Sequence, residues 1–196
     1  MIENELKYVL SLDSKDAVHK VLGEPLLVKQ GYLPGKARIR SKVKGRGQGS
    51  AILSPKFFFT YKLPVETEAG EVVFEIEKEI TKHEFETLWP HTEARLVKLR
   101  YTTMEGPVQW DIDYFLAGAA IYFAMAEAEM PEDMLEPPSI PAWLQGAITY
   151  PVPRAETRKF TSNKVADEAY ANKLLSGINK KKRKKNEQVD HHLPSR

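Results

Sequence analysis

Polar and apolar residues alternate with a period of two along most of the chain up to Glu129. This alternation predicts β-strands that present one polar and one apolar face. The predicted strands are Ile2–Leu10, Leu26–Leu33, Ala37–Lys44, Phe57–Leu63, Val72–Ile80, Ala94–Thr102, Val108–Phe115 and Tyr122–Met130. Because most of the connections are short, we expect these eight strands to pair in antiparallel fashion.

Three other segments have the features of helices, and the predicted helices are Ser14–Leu22, Thr81–Leu88 and Thr161–Ser176. The spacing of Thr81 and Glu84 is that of a capping box at a helix N-terminus. Gly177 is suited to end the third helix. The segment Pro131–Pro153 is rich in proline and is predicted to be irregular. Strands and helices together predict an α+β fold.

The composition limits the class of protein. The chain has 196 residues, which is enough for one domain with a substantial core, and it contains no cysteine, which excludes disulfide bonds and thiolate chemistry. The basic run Lys180–Lys185 predicts a disordered tail over 178–196, after a folded domain over 1–177. Neither a long apolar segment nor a basic leader is present, so we expect a soluble, cytoplasmic monomer or homodimer without membrane contact.

Charged residues recur at alternate positions of the predicted strands, so those of one strand share a face. They are Glu3, Glu5, Lys7, Arg38, Arg40, Lys42, Lys62, Glu75, Glu77, Glu79, Lys98, Arg100, Asp111, Asp113, Glu127 and Glu129. The default interpretation is the solvated face of an amphipathic sheet. The alternative is a closed eight-stranded antiparallel β-barrel, a tunnel with flanking helices and a charged interior. A tunnel accounts better for eight apolar faces that three short helices are too few to cover.

The two signs of charge favour different parts of one ligand. Neighbouring carboxylates repel each other, and a hard divalent cation bound through oxygen relieves that repulsion. Neighbouring arginine and lysine side chains favour an anion of high charge density, such as a chain of phosphates. If the rows converge, the sequence therefore predicts phosphoryl chemistry on a metal–polyphosphate ligand, achieved by positioning and electrostatics without a protein nucleophile.

Short motifs in a fixed order strengthen this hypothesis. They are Glu3-Asn4-Glu5-Leu6-Lys7, Gln30-Gly31-Tyr32-Leu33, Arg38-Ile39-Arg40, Thr60-Tyr61-Lys62, Glu75-Ile76-Glu77, Lys98-Leu99-Arg100-Tyr101, Asp111-Ile112-Asp113-Tyr114-Phe115, Ala126-Glu127-Ala128-Glu129 and Tyr170-Ala171-Asn172-Lys173-Leu174. In this order they resemble the motifs of the CYTH superfamily, the triphosphate tunnel metalloenzymes, whose opening signature is ExExK. The chain departs from the family pattern at Val73, where the family often has an arginine.

The resemblance implies a tunnel that binds a triphosphate together with Mg²⁺ or Mn²⁺ and hydrolyses it. By the family pattern, the phosphate-binding residues would be Lys7, Arg38, Arg40, Lys62, Lys98 and Arg100. The metal-binding residues would be Glu3, Glu5, Glu75, Glu77, Asp113, Glu127 and Glu129. The residues expected to act directly in catalysis would be Glu3, Glu5, Lys7, Lys62 and Glu129.

Three functions stay open at this point. A triphosphatase would hydrolyse inorganic tripolyphosphate, a nucleoside triphosphate or thiamine triphosphate. The family also includes class IV adenylyl cyclases, so the formation of cyclic AMP from ATP is the second candidate. The third is a non-catalytic module that binds a phosphorylated ligand, which would not need the full set of carboxylates. Separately, the run Lys180–Lys185 could make a weak contact with nucleic acid.

Overall fold

The computed structural model of the protein describes residues 4–44, 54–67 and 70–190. Its strands are β1 (Glu5–Leu10), β2 (Leu26–Tyr32), β3 (Ala37–Lys44), β4 (Lys56–Thr67), β5 (Gly70–Ile80), β6 (Ala94–Glu105), β7 (Val108–Ala117), β8 (Ala120–Glu129) and β9 (Ile148–Val152). Its helices are α1 (Lys15–Leu22), α2 (Lys82–Leu88), α3 (Ala142–Gln145), α4 (Ser162–Val165) and α5 (Glu168–Asp190).

All of these strands belong to one antiparallel sheet, paired in the order β5-β4-β3-β2-β6-β7-β8-β1-β9. The eight strands that the alternation predicts are all present, and the α+β class is confirmed. The capping box of α2 is also confirmed, because the Thr81 hydroxyl accepts from the Glu84 amide and the Glu84 carboxylate accepts from the Thr81 amide.

The prediction of a closed barrel is wrong for the part of the chain that the structure describes, where β5 and β9 are the edges of an open sheet. Closure of the first eight strands would require β1 to pair with β5. That edge of β1 is instead occupied by β9, with Lys7 opposite Val152 and Val9 opposite Tyr150. The segment Pro131–Pro153 is therefore not wholly irregular, and its proline Pro151 is tolerated because β9 is an edge strand.

The C-terminal prediction also needs correction. The predicted helix Thr161–Ser176 is divided into α4 and α5, and α5 continues past Gly177 to Asp190. Residues 178–190, for which the sequence predicts a disordered tail, belong to α5, and 191–196 lie outside the described residues. Gly177 adopts a helical backbone, and the next residue, Ile178, is buried in an apolar cluster with Phe160 and Val165. That burial extends the helix beyond the point where the sequence suggests its end.

Two apolar clusters hold the sheet from opposite faces. One contains Trp110, Ile112 and Tyr114 of β7 and packs against Val18 of α1 and Leu144 of α3. The other lies on the opposite face of the same strands, and its members are Val9, Leu96, Phe115, Phe123, Met125, Val152, Phe160, Val165, Ala171 and Ile178. The C-terminal helices thus cover one end of a sheet face whose remaining positions are polar. Among the described helices, none is long and apolar enough to cross a membrane.

Candidate active site

The registers of the sheet bring the charged rows of β1 and β3–β8 to a single face, which we call the charged face. Its residues are Glu5, Lys7, Arg38, Arg40, Lys42, Lys62, Glu75, Glu77, Glu79, Lys98, Arg100, Asp111, Asp113, Glu127 and Glu129. Cross-strand partners on one face lie close enough to interact directly. Glu3 lies outside the described residues. The convergence of the rows, which the alternation alone leaves open, is therefore a feature of the described structure.

A buried ion-pair cluster forms where β6 meets β7. Lys98 Nζ donates to Asp113 Oδ2 at 2.6 Å, and Arg100 Nε and Nη2 donate to Asp113 Oδ1 and Oδ2 at 2.7 and 2.5 Å. Arg100 Nη1 also donates to Asp111 Oδ2 at 2.5 Å. Asp113 is fully buried, and Lys98 is nearly so. The cluster fixes the two basic side chains in position, because each donates to a carboxylate that is itself immobilised in the sheet.

The charges of this cluster control each other's ionisation. Burial alone would raise the pKa of Asp113, but the charges of Arg100 and Lys98 outweigh burial and lower it to about 2. Burial and the neighbouring Arg100 charge lower the pKa of Lys98 to about 8, against the opposing effect of Asp113. Asp113 is therefore ionised at neutral pH, and Lys98 begins to lose its charge in mildly alkaline solution.

A second contact crosses from β1 to β8. Lys7 Nζ lies 2.5 Å from Glu127 Oε1 and 2.9 Å from Glu5 Oε1, so two carboxylates share one ammonium group. Glu127 also lies 3.7 Å from Arg100 Nη2. Burial opposes the charge of Lys7, but Glu127 and Glu5 together raise its pKa. Lys7 therefore serves as the internal counter-ion of the carboxylates on β1 and β8.

Glu129 is the carboxylate that the cluster neutralises least. It faces Glu5 across the β1–β8 pair, and its Oε2 accepts from Gln109 Nε2 at 3.3 Å. Partial burial and the negative charges of Asp111 and Glu127 raise its pKa. A bound cation would stabilise a carboxylate that is surrounded by other carboxylates more than one that is already paired with lysine or arginine.

The basic residues of β3 and β4 form another cluster with β5. Arg38 Nη2 lies 2.8 Å from Glu75 Oε1, and Lys62 Nζ lies 3.1 Å from Glu75 Oε2. Arg40 Nη2 donates to Glu77, which also accepts from Thr60 Oγ1 at 3.0 Å. Burial raises the pKa values of Glu75 and Glu77, but the basic neighbours, Arg38 and Arg40 first among them, lower both values overall.

These two arginines keep unused hydrogen-bonding capacity. Within the described residues, the Nε atoms of Arg38 and Arg40 are shielded from solvent and have no hydrogen-bond partner. Such buried, unpaired donors are rare and costly in folded proteins. Each guanidinium group uses only one side of its donor fork on a carboxylate. The free donors suit an oxyanion that would lie along β3.

The charged face is covered at one end by the C-terminal segment. Ser162 Oγ, at the start of α4, lies 3.5 Å from Lys98 Nζ. Tyr122 donates to the Val165 carbonyl at 2.9 Å and ties α4 to β8. Because β2 contributes the uncharged Gln30 to this face between the two clusters, the basic residues of β3–β4 and of β6 lie on either side of a neutral strip.

The carboxylates on β1 and β8 could supply only a few of the ligands that a divalent cation needs. In the described ranges, no group of three or more aspartate, glutamate or histidine side chains is arranged to hold a metal ion. Glu5 and Glu129 are nonetheless neighbours in register, and Mg²⁺ usually binds proteins through one or two carboxylates together with phosphate oxygens and water. The donor chemistry therefore fits a cation that arrives with its phosphate ligand.

Most of the residues that the sequence predicts for the site lie on the charged face, but their contacts differ by residue. Glu5 and Glu127 share Lys7, with Glu129 opposite Glu5 in register, whereas Glu75, Glu77 and Asp113 bind the basic residues of β3, β4 and β6. Sequence reasoning omitted Gln109 and Ser162 from the site. The parity of Gln109 with Asp111 could have identified it, but Ser162 reaches Lys98 only through tertiary packing.

Comparisons with known proteins give only distant likenesses. No protein-family model and no curated protein matches the chain. PH1012 of Pyrococcus horikoshii is 16% identical over 68% of this chain and 80% of its own, with a TM-score of 0.42. The protein bh2851 of Bacillus halodurans, provisionally named an adenylate cyclase, is 16% identical over 65% and 80%, also at 0.42. The Schizosaccharomyces pombe Mediator head module is 11% identical over 91% and 94%, at 0.44. Likenesses this weak assign neither a family nor an activity to the chain.

Proposed function

We propose that the charged face binds a triphosphate together with Mg²⁺ or Mn²⁺ and hydrolyses it. The proposal has its main support in the unpaired, buried Nε atoms of Arg38 and Arg40 on a face that also holds carboxylates. A stable internal network would satisfy those donors, whereas a site for an anion leaves donors available for its ligand. The order of the motifs, which resembles that of the triphosphate tunnel metalloenzymes, agrees with this proposal.

The residues of the face divide into two functions. Arg38, Arg40 and Lys62 on one side, and Lys7, Lys98 and Arg100 on the other, would bind phosphate oxygens. Glu5 and Glu129 would hold the cation. In the sequence, Glu3 lies two positions before Glu5 and shares its alternation. Glu75, Glu77 and Asp113 would keep the basic side chains oriented, because each already binds one or two of them. Orientation of this kind removes the cost of arranging charges during reaction.

Hydrolysis on this face needs no protein nucleophile. The bound cation would neutralise phosphate oxygens and lower the pKa of a water molecule. Glu129 would hold the cation beside the attacking water. Arg38 and Arg40 would stabilise the negative charge that builds up on the phosphate oxygens as the bond breaks.

A non-catalytic phosphate-binding module is the second candidate, and one observation favours it. Lys7 lies between Glu5 and Glu127, where the family pattern implies a metal ion. If Lys7 stays there when ligand binds, the face would hold an anion without the cation that hydrolysis requires.

Phosphate release distinguishes these functions. The full-length protein would be incubated with tripolyphosphate, ATP or pyrophosphate, with Mg²⁺ or Mn²⁺ and with an EDTA control. The proposal predicts metal-dependent release of phosphate from tripolyphosphate. Release of pyrophosphate and cyclic AMP from ATP would instead indicate a cyclase. Tripolyphosphate binding in a calorimeter without turnover would indicate the binding module. The absence of both binding and turnover would refute the proposal.

Replacement of Lys7 is expected to separate metal binding from phosphate binding. In Lys7→Met, Glu5 and Glu127 lose their shared counter-ion, so the affinity for Mn²⁺ alone should rise by about tenfold. The affinity for tripolyphosphate with Mn²⁺ should fall, because a phosphate ligand is lost. Isothermal titration calorimetry measures both values. The exposed Lys56→Met variant is the control, and an unchanged affinity of Lys7→Met for Mn²⁺ would show that Lys7 does not occupy the cation's place.

A further inference from the structure

The C-terminal helix carries a basic surface that the proposed function does not use. We define the C-terminal basic surface as Lys159, Lys180, Lys181, Lys182 and Arg183, all of which are exposed. Lys159 belongs to the helical turn Arg154–Lys159, and the other four belong to α5. In sequence the run continues with Lys184 and Lys185 on the same helix. Residues 180–183 therefore form a positively charged part of α5.

Contacts with Glu156 join the two parts of this surface. Its carboxylate lies 3.2 Å from Lys181 Nζ and 3.7 Å from Lys159 Nζ, so a single acid is shared by two bases. Lys181 also donates to the Tyr150 hydroxyl at 3.4 Å, which fixes α5 against β9. Among the described side chains, no carboxylate forms an ion pair with Lys180, Lys182 or Arg183. The surface therefore has a marked excess of positive charge.

This excess destabilises the helix unless an anion is bound. Lys180 and Arg183 are three residues apart, a spacing at which like charges on a helix repel each other. After Ile178, residues 179–183 contribute no apolar side chain that could pack and compensate. A ligand with regularly spaced negative charges would relieve the repulsion along the helix.

We propose that the C-terminal basic surface binds the phosphate backbone of a double-stranded nucleic acid. A lipid bilayer is disfavoured, because a helix that lies on a membrane needs an apolar face opposite its charges, and residues 179–183 provide none. A single strand is also disfavoured, because sequence-independent binding of single strands relies on exposed aromatic rings. The nearby ring of Tyr150 is already covered by Lys181 at 5.6 Å. This site is independent of the charged face.

Fluorescence anisotropy with short labelled DNA and RNA duplexes tests the proposal on the full-length protein. We expect dissociation constants in the micromolar range at about 0.1 M salt. The logarithm of the association constant should fall linearly with the logarithm of the salt concentration, with a slope of about −0.9 for each phosphate contact. A combined Lys180→Gln, Lys182→Gln, Arg183→Gln variant should bind at least about tenfold more weakly and with a shallower salt slope. Binding to either duplex supports the proposal and identifies the preferred nucleic acid.

A control variant that removes the same number of positive charges elsewhere on the protein shows whether the loss of binding is specific to the C-terminal basic surface. Lys20→Gln, Lys78→Gln and Lys82→Gln remove three exposed basic residues elsewhere and should leave duplex binding nearly unchanged. Circular dichroism would establish that both variants are folded, and phosphate release should be equal in both. The proposal is overturned if the wild type binds no duplex at low salt, if the two variants bind equally well, or if anionic vesicles bind more tightly than both duplexes.

Discussion

Substitution of Glu129 by glutamine is expected to abolish metal-dependent hydrolysis of tripolyphosphate, with kcat falling at least about 100-fold. Glutamine keeps the shape of the side chain and its contact with Gln109, but it removes the charge that attracts a cation at the β1–β8 edge of the charged face. Phosphate release at saturating Mg²⁺ measures the effect. Glu79→Gln is a matched control, because Glu79 is an exposed residue of the same face to which no function is assigned.

The same substitution should not weaken the fold. The raised pKa of Glu129 means that its ionised form is disfavoured in the folded protein, and this cost is present above the folded pKa and absent below the ordinary carboxyl value. Glu129→Gln is therefore expected to raise Tm slightly at neutral pH, on the order of 1–3 °C, and to have no such effect in acid. Hydrolysis that is undiminished in this variant would refute the assignment of Glu129.

Substitution of Asp113 by asparagine is expected to destabilise the protein by about 3 kcal/mol at neutral pH. Asp113 is fully buried and accepts hydrogen bonds from both Lys98 and Arg100. Without its charge, the buried Lys98 loses its ion pair, and the half-buried Arg100 keeps only its contacts with Asp111 and Glu127. Urea unfolding at neutral pH measures the loss. Exposed Asp16→Asn, which loses a surface contact with Lys15, should leave stability nearly unchanged.

The pH dependence of the Asp113→Asn effect follows from the pKa of Asp113. Because that pKa is lowered to about 2, the ionised carboxylate stabilises the fold above its ordinary value of 3.8, and the stabilisation is lost as pH falls towards 2. The difference in unfolding free energy between wild type and Asp113→Asn should therefore shrink between about pH 4 and pH 2. A difference that stays constant over that interval would mean that the charge of Asp113 is not what stabilises the cluster.

The strands of the sheet were predictable because their pattern is local. A period of two determines which side chains share a face, and it correctly placed Arg38 with Arg40 and Glu127 with Glu129. Closure was not predictable, since it depends on which strand occupies the free edge of β1. That strand, β9, lies in a proline-rich segment and contains Pro151, and a proline within an apolar run argues against a strand.

The composition of the charged face was likewise more predictable than its contacts. Alternation and motif order selected the basic and acidic residues, but no sequence rule indicated that Lys7 would lie between Glu5 and Glu127. The extension of α5 was missed for a related reason. Glycine commonly ends a helix, as Gly177 was expected to do. Only the burial of Ile178 in the apolar cluster with Phe160 and Val165 shows why the helix continues.

Tripolyphosphate binding by Arg40→Met, measured by isothermal titration calorimetry with Mg²⁺ present, tests the central claim most directly. Arg40 is buried, and its Nε is an unpaired donor within the described structure. If the charged face is the triphosphate site, the loss of this guanidinium should weaken binding by at least about tenfold relative to wild type, and Lys56→Met should bind normally. Equal affinities of Arg40→Met and wild type would place the ligand elsewhere and contradict the proposed function.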